Sequence, residues 1–211
     1  RRHNPTPTLS RSRAGSQHAL AADSASFPSP SRLQARCRHR AEAEQGEQAI
    51  ARVRKLSRVL VVSRDTVRTE AFAGKLRSAG LPAQAAAAEH AVRAADIIVT
   101  ATTATAPLFE AAWVQRGTHV SSMGSDSRGK QELPADLFGN AALFCDLPEQ
   151  SVRIGEFQHA GPEATPTAIG TVLSGDAPGR QDESEITIFD SSGISLQDLH
   201  IAKAILDHQA T

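Results

Sequence analysis

From about residue 50 onward, short apolar runs alternate with segments of helical spacing, and this alternation restricts the possible folds more than any other feature. Residues 58–63 (RVLVVS) and 96–102 (DIIVTAT) are continuous apolar runs, which are typical of strands covered on both faces. Further strands are predicted at 82–86, 118–123, 142–146 and 186–190, and helices at 66–79, 89–95, 113–117 and 194–209. The pattern predicts an α/β fold with a doubly wound parallel sheet.

In such sheets, ligands bind beyond the carboxyl ends of the strands. The predicted strand ends therefore indicate residues 63–65, 100–103 and 123–126 as candidate binding segments. Small residues at these ends, such as Gly124, allow the backbone to approach a flat ring closely.

Residues 1–48 differ sharply in composition from the remainder of the chain. They are rich in arginine, serine, alanine and proline and contain no lysine, valine or isoleucine. Such a segment buries too little apolar surface to offset its ordering entropy. We expect a disordered or out-of-frame leader over 1–48. A basic cluster at 32–40 lacks the interleaved aromatic residues of a nucleic-acid site, so no nucleic-acid partner is predicted.

Bulk charge and cysteine content favour a small-molecule partner. The 23 basic and 23 acidic residues balance, so no nucleic acid or acidic membrane is indicated. No apolar run is long enough for a spanning helix and no signal peptide is evident, so a cytoplasmic protein is expected. Cys37 and Cys145 lack metal-ligand or disulfide spacing, and Cys145 is expected to be a buried apolar residue. No metal site is predicted.

Four segments make the chain recognisable: VVSRD, AVRAADIIVTATTATAPLF, GTHVSSMGSDSRGKQELPADLF and SGDAPGRQDESEITIFDSSGISLQDL. Over about residues 52–209 the sequence resembles the ornithine cyclodeaminase and mu-crystallin family. The resemblance implies a nicotinamide-dependent enzyme of amino acid and cyclic imine chemistry. It also implies a homodimer in which a Rossmann-type domain accompanies a separate substrate domain.

The sequence departs from that pattern before residue 50. A Rossmann sheet opens with a strand, a GxGxxA/G turn and a helix, because glycines let the helix meet the pyrophosphate. Only Gly46 is available for such a turn, and residues 49–56 resemble the end of the helix that should follow it. We therefore expect a truncated chain with an incomplete Rossmann-type sheet and C-terminal helix over 49–211, without its first strand or the family's N-terminal domain.

Asp126 is the candidate catalytic residue. It follows a predicted strand and a glycine, where a carboxylate can face a nicotinamide and a cationic substrate. The resemblance implies that Asp126 is the catalytic acid/base. Without the resemblance, the commoner role for an aspartate after a strand is a helix N-cap. Lys130 is implied to contact a cofactor phosphate or ribose, and the alternative is an exposed lysine.

Other candidate residues lie at the remaining strand ends. The resemblance implies that Ser191 approaches the cofactor and Ser192 lines the substrate site, although either serine could cap the helix over 194–209. Further cofactor contacts are expected from the loop after the 96–102 strand and from the end of the 118–123 strand. These residues are Thr100, Ala101, Thr102, Met123 and Gly124.

The end of the 58–63 strand bears on the choice of cofactor. NAD-specific sites carry an acidic residue there, whereas an arginine can pair with a 2′-phosphate. Ser63 stands where the NAD-using cyclodeaminases carry their acid, and Arg64 follows. The triplet Ser63-Arg64-Asp65 favours NADP(H), while the acidic residue Asp65 keeps NAD(H) binding possible.

Three functions are considered. The first is an ornithine cyclodeaminase-like enzyme that converts ornithine to proline and ammonia. The second is an NADPH-dependent reductase of ketimines such as pyrroline-2-carboxylate, which needs a single hydride delivery. The third is an inactive fragment or a non-catalytic binding protein.

Overall fold

The computed structural model of the protein describes residues 31–37 and 50–209. Its described part is built on an eight-stranded sheet, with helices and short 3₁₀ turns between strands. The strands are β1 (Ser31–Cys37), β2 (Leu56–Val62), β3 (Ala83–Ala85), β4 (Ile97–Ala101), β5 (His119–Ser122), β6 (Ala141–Cys145), β7 (Thr167–Ala168) and β8 (Ile186–Asp190). The helices are α1 (Thr66–Ser78), α2 (Ala88–Arg93), α3 (Pro148–Ile154), α4 (Ile169–Ser174) and α5 (Ser195–Gln209).

The strand order is β3-β2-β1-β4-β5-β8-β6-β7, and every neighbouring pair is parallel. The order reverses direction at β1, which is the switch point of a Rossmann-type sheet. The predicted α/β class and parallel sheet are therefore confirmed. The short helix predicted over 113–117 is instead a 3₁₀ turn at Ala111–Trp113, because the backbone of Val114 is extended, with φ −74° and ψ 124°.

One expectation from the sequence is wrong: residues 31–37 are not part of a disordered leader. They form β1, which pairs with β2 on one side and β4 on the other and supplies the first strand that the sequence reading treated as missing. A central strand gains backbone hydrogen bonds from two neighbours, so the segment SRLQARC needs no continuous apolar run to join the sheet. The remaining leader, including the region around Gly46, lies outside the described residues.

Alternate residues of β2 pack against helices on opposite faces of the sheet. Val59 and Val61 contact a cluster that includes Phe72 and Leu76 of α1. Leu60 and Val62 pack with Ala91 of α2 instead. Since successive strand side chains point to opposite faces, this division shows that helices cover both faces of the sheet. The continuous apolar run of β2 is explained by this double coverage.

A larger apolar cluster stabilises the other half of the sheet. It includes Ile98 of β4, Val120 of β5 and Ile188 of β8, all with no exposed surface. The rings of Phe138 and Phe157 meet edge to face within it, with centroids 5.7 Å apart. Buried Cys145 belongs to the same cluster, as the sequence predicts. This packing fixes the segments that follow β4, β5 and β8, where the candidate site residues lie.

The final helix, α5, carries several exposed apolar side chains. Leu199, Ile201, Ile205 and Leu206 are each more than half exposed. Within the described residues, no helix combines the length and the apolar character needed to cross a membrane.

Candidate functional site

A cavity of about 790 Å³ opens at the carboxyl ends of β2 and β4. Ser63, Arg64 and Thr102 line it, together with the loop over residues 103–108. Its volume lies in the range that binds cofactors and other small molecules. The structure thus brings Ser63 and Arg64 close to Thr102, which follows Arg64 by 38 positions, at the edge where parallel sheets bind ligands.

The carboxylate of Asp65 is occupied by local contacts. Its Oδ1 atom accepts a hydrogen bond from the backbone N–H of Arg68 at 3.0 Å, which caps the first turn of α1. Its Oδ2 atom lies 3.1 Å from Nε of Arg68. Ser63 Oγ lies 2.7 Å from Thr69 Oγ1, which fixes the start of the same helix. The negative charge of Asp65 is therefore largely compensated, while Arg64 stays exposed along the cavity.

The loop after β4 is held by the buried side chain of Glu132. Thr100 Oγ1 donates to Glu132 Oε2 at 2.7 Å, and the backbone N–H of Thr102 donates to Oε1 at 2.6 Å. Thr100 and Ala101 are almost completely buried, and Thr102 is 7% exposed where it lines the cavity. The three residues lie at the predicted edge, and their contacts with a cofactor stay predictions.

The end of β5 approaches this loop very closely at Gly124. A Cβ atom added there would lie 2.2 Å from the carbonyl oxygen of Thr102, so glycine is required by the packing. The neighbouring Met123 is 40% exposed. Gly124 therefore joins the cavity region after β4 to the segment that carries Asp126, and both lie at the same edge of the sheet.

Asp126 forms an ion pair with Lys130. Lys130 Nζ lies 2.5 Å from Asp126 Oδ1, and the aspartate side chain is 62% exposed whereas the lysine side chain is 20% exposed. The hydrogen bond from Lys130 is the main cause that lowers the pKa of Asp126 below its ordinary value. Lys130 is thus not a freely exposed lysine, which was the alternative to a cofactor contact. Its role toward a cofactor stays a prediction.

Two side chains of a later 3₁₀ turn fix the Asp126–Lys130 loop. Gln158 Oε1 accepts from the backbone N–H of Gly129 at 2.9 Å, and Gln158 Nε2 donates to the carbonyl of Lys130 at 3.3 Å. His159 Nε2 donates to that same carbonyl at 2.7 Å. These contacts hold the loop in one geometry before any ligand binds.

The serines after β8 are engaged by neighbouring segments. Ser191 Oγ donates to Asp146 Oδ2 at 2.8 Å, and Ser191 N donates to the carbonyl of Ser122 at 2.9 Å. The Ser192 hydroxyl accepts from Gln150 Nε2 at 3.1 Å. The two serines therefore lie at the same sheet edge as Asp126. Gln150 also donates to the carbonyl of Gly193, which fixes the turn before α5.

Three fully buried carboxylates connect these strand ends: Glu132, Glu156 and Asp190. Glu132 binds the ends of β4 and β5, because it also accepts from the backbone N–H of Gly124 at 2.9 Å. Glu156 accepts from Ser125 and from the backbone N–H of Leu133. Asp190, the last residue of β8, accepts from the backbone N–H of Glu156 at 3.1 Å. Burial raises the pKa of Asp190 to about 7.

None of these three carboxylates is among the site residues predicted from the sequence. Each occurs in a recognisable motif, GKQEL, IFDSS and IGEF, but the letters alone do not distinguish a surface carboxylate from a buried one. The available signal was the apolar context of Asp190 and Glu156, whose neighbours in the chain include phenylalanine. His119 hydrogen-bonds Thr187 at 2.8 Å at the start of β5, away from this edge, which agrees with a structural histidine.

Comparison with known proteins identifies the family. The model of the ornithine cyclodeaminase/mu-crystallin family matches residues 37–211. The chain belongs to this family. The resemblance read from the motifs is thereby confirmed, and the match begins at the last residue of β1.

Individual relatives agree with this membership. The chain is 42% identical over 133 residues to the iminosuccinate reductase of Paracoccus denitrificans (strain Pd 1222), covering 61% of this chain and 41% of that protein. It is 32% identical over 173 residues to a Delta(1)-pyrroline-2-carboxylate reductase of Bacillus cereus (strain ZK / E33L), covering 76% and 52%. The chain spans about half the length of the curated relatives it matches.

A solved structure of an archaeal alanine dehydrogenase dimer with bound NAD is similar in fold. Its TM-score is 0.81 at 30% sequence identity, and the match covers 90% of this chain and 61% of that one. The Rossmann-type architecture of the described residues is therefore the one that this family uses.

Proposed function

We propose that this chain forms the nucleotide-binding part of an enzyme that uses NADP(H) to reduce a carbon–nitrogen double bond in a cyclic imine or an imino acid. The observation that carries the proposal is the close approach of Gly124 to Thr102. This contact joins the cavity lined by Arg64 to the loop that carries Asp126. Two relatives whose names denote imine reductases support it.

The fit of a nicotinamide cofactor rests on the shape of this edge. The cavity is large enough for the adenosine end. Gly124 lets the end of β5 pack directly against Thr102, which lines that cavity. A bound nicotinamide would supply the hydride. Asp126 is kept ionised by Lys130. Its carboxylate would stabilise the protonated imine and accept a hydrogen bond from the N–H of the product amine. Ser192 is proposed to line the substrate site.

The preference for NADP(H) is proposed from the charges around the cavity. Ser63 replaces the acidic residue that would bind a ribose 2′-hydroxyl, and Arg64 supplies a guanidinium that can pair with a 2′-phosphate. Asp65 would oppose such a phosphate, but its carboxylate already pairs with Arg68 at 3.1 Å. The net effect is a cavity rim that favours the additional phosphate, although NAD(H) binding is not prevented.

Replacement of Arg64 with glutamine tests this preference. We expect the R64Q variant to bind NADPH about 10- to 100-fold more weakly, because a charge-assisted contact contributes about 1.5–3 kcal/mol, while NADH binding changes little. The measurement is a fluorescence titration with each cofactor. R93Q is the matched control, since Arg93 lies on exposed α2 and pairs only with Glu89 among the ion pairs of the described residues. An equal loss of NADPH and NADH affinity in R64Q would contradict the preference.

Ornithine cyclodeamination is the second candidate. The family to which the chain belongs includes this reaction in its name. The same acid/base residue would act while the oxidised cofactor takes a hydride from the amine and then returns it to the cyclic imine. A cyclodeaminase recycles its cofactor, whereas a reductase consumes it, and this difference separates the two. The proposed NADP(H) preference favours the reductase.

An assay with two substrates distinguishes the candidates. We expect oxidation of NADPH with pyrroline-2-carboxylate and no ammonia release from ornithine. Ammonia and proline from ornithine in the presence of NADP⁺ or NAD⁺, without net formation of reduced cofactor, would instead indicate a cyclodeaminase. Turnover of neither substrate would support a non-catalytic role for this polypeptide. A homodimer and a cytoplasmic location remain predictions from the family resemblance, and the exposed apolar residues of α5 are candidates for a subunit contact.

A further inference from the structure

Glu132 receives backbone hydrogen bonds on both of its carboxyl oxygens. The N–H of Thr102 donates to Oε1 at 2.6 Å, and the N–H of Gly124 donates to Oε2 at 2.9 Å. The hydroxyls of Thr100 and Ser122 also donate to Oε2. A backbone N–H can only donate, so a proton on Oε1 would find no acceptor in its one partner, Thr102, and Oε2 already receives three donors. The donors around Glu132 therefore match an ionised carboxylate.

Glu156 has a different arrangement of donors. Its Oε1 accepts from the backbone N–H groups of Leu133 at 2.7 Å and Glu132 at 3.0 Å. Its Oε2 accepts from the hydroxyl of Ser125 and, at 3.4 Å, from the hydroxyl of Ser122. The backbone nitrogen of Glu132, which donates to Oε1, also lies 3.1 Å from Oε2. A hydroxyl can accept as well as donate. A proton on Oε2 can therefore be donated to Ser125 while Oε1 keeps both backbone bonds.

Two negative charges at these positions would be poorly compensated. The Ser122 hydroxyl bridges the two carboxyls, and no lysine or arginine in the described residues forms an ion pair with either. A buried unpaired carboxylate is costly, and protonation is the usual way to avoid this cost.

The groups around Glu156 also favour a neutral acid. Burial raises the pKa of Glu156, although the hydrogen bond from Ser125 lowers it, and the nearby charge of Glu132 raises it further. The other titratable neighbours are Asp190 and, beyond it, Asp146 and the Cys145 thiol. Every one of these groups is an acid, so none supplies a compensating positive charge.

We propose that Glu156 is a protonated acid and Glu132 an ionised carboxylate at neutral pH, and that this unequal pair positions the ends of β4 and β5 for hydride transfer. Glu132 holds the N–H groups of Thr102 and Gly124 on one carboxylate, while Glu156 holds Ser125, the residue before Asp126. Both act as positioning residues through other groups. The effect on turnover rests on the proposed function, but the protonation states do not.

Infrared spectroscopy of the full chain tests the protonation states without requiring activity. We expect the carbonyl band of a buried carboxylic acid at neutral pH to disappear in E156Q and to persist in E132Q. Asp190 can contribute a second acid band, because its pKa is raised to about 7. A band that disappears in D190N belongs to Asp190. Absence of an acid band from D190N, or persistence of that band in the D190N/E156Q double variant, would overturn the proposal.

Kinetics test the positioning role. Glutamine at 156 can accept at Oε1 and donate from Nε2 to Ser125, so kcat in E156Q should stay within about 3-fold. In E132Q the amide NH₂ must face the backbone N–H of Thr102 or Gly124, and two donors cannot form a hydrogen bond. The strand ends should therefore move, and kcat should fall about 10- to 100-fold with a smaller change in KM. Equal losses in both variants would contradict the assignment. If the unmodified chain shows no turnover, the proposed function fails, while the infrared result still decides the protonation states.

Discussion

Replacing Asp126 with asparagine is expected to lower kcat for reduction of pyrroline-2-carboxylate by about 10²- to 10⁴-fold, the usual contribution of a general acid or base. Asparagine keeps the size of the side chain but cannot take up a proton or stabilise an adjacent cation. Because Lys130 lowers the pKa of Asp126, the unmodified carboxylate should remain ionised to a pH below the ordinary aspartate range, about 3.9. The measurement is single-turnover oxidation of NADPH as a function of pH.

The matched control for this change is D136N. Asp136 is also an exposed aspartate, in the 3₁₀ turn Ala135–Asn140 that precedes β6, but no site role is proposed for it. Its replacement should leave kcat unchanged within about 2-fold, as for surface positions outside special features. If D126N and D136N retained the same activity, Asp126 would not be the acid/base, whatever the remaining chemistry of the site.

Replacing Gly124 with alanine is expected to have the largest effect on stability. The added Cβ would lie 2.2 Å from the carbonyl oxygen of Thr102, 2.6 Å from its nitrogen and 2.7 Å from Cδ of Glu132. Two of these atoms belong to the backbone and cannot move aside without separating β4 from β5. Overpacking of this kind costs about 3 kcal/mol or more, which corresponds to a fall in Tm of roughly 6–12 °C for a chain of this size.

G139A provides the control for that substitution. A Cβ at Gly139 meets no atom within 4 Å, and its φ lies outside the region that favours glycine. Its Tm should therefore change little. Thermal unfolding followed by circular dichroism measures both variants. A G124A variant as stable as G139A would show that the ends of β4 and β5 are less tightly packed than described here.

The sequence was sufficient to predict the parts of the fold that depend on local apolar pattern. Strands β2 and β4 are buried on both faces, so their residues are almost all apolar and form runs visible in the sequence. Strand β1 was not predicted, because its segment SRLQARC has polar residues between Leu33, Ala35 and Cys37. Its pairing depends on backbone hydrogen bonds from β2 and β4, which no local pattern reports.

The candidate site shows the same limit. The edge at which Arg64, Asp126 and Ser191 lie follows from the rule for parallel sheets, so their common location was predictable. The buried carboxylates were not, because their partners come from distant segments. Glu132 binds the backbone of Thr102, 30 positions earlier, and Asp190 binds the backbone of Glu156, 34 positions earlier. A carboxylate satisfied by backbone donors carries no signature in the residues next to it.

The linkage of Glu132, Glu156 and Asp190 constrains how this sequence can diverge. Glu156 accepts a hydrogen bond from the backbone N–H of Glu132, and Asp190 accepts one from the backbone N–H of Glu156. Loss of one carboxyl group therefore leaves the backbone of the next residue without its acceptor. Replacements that remove these acceptors should be accepted in evolution only together with coordinated changes elsewhere. Drift in this family should instead accumulate at exposed positions without a site role, such as Asp136.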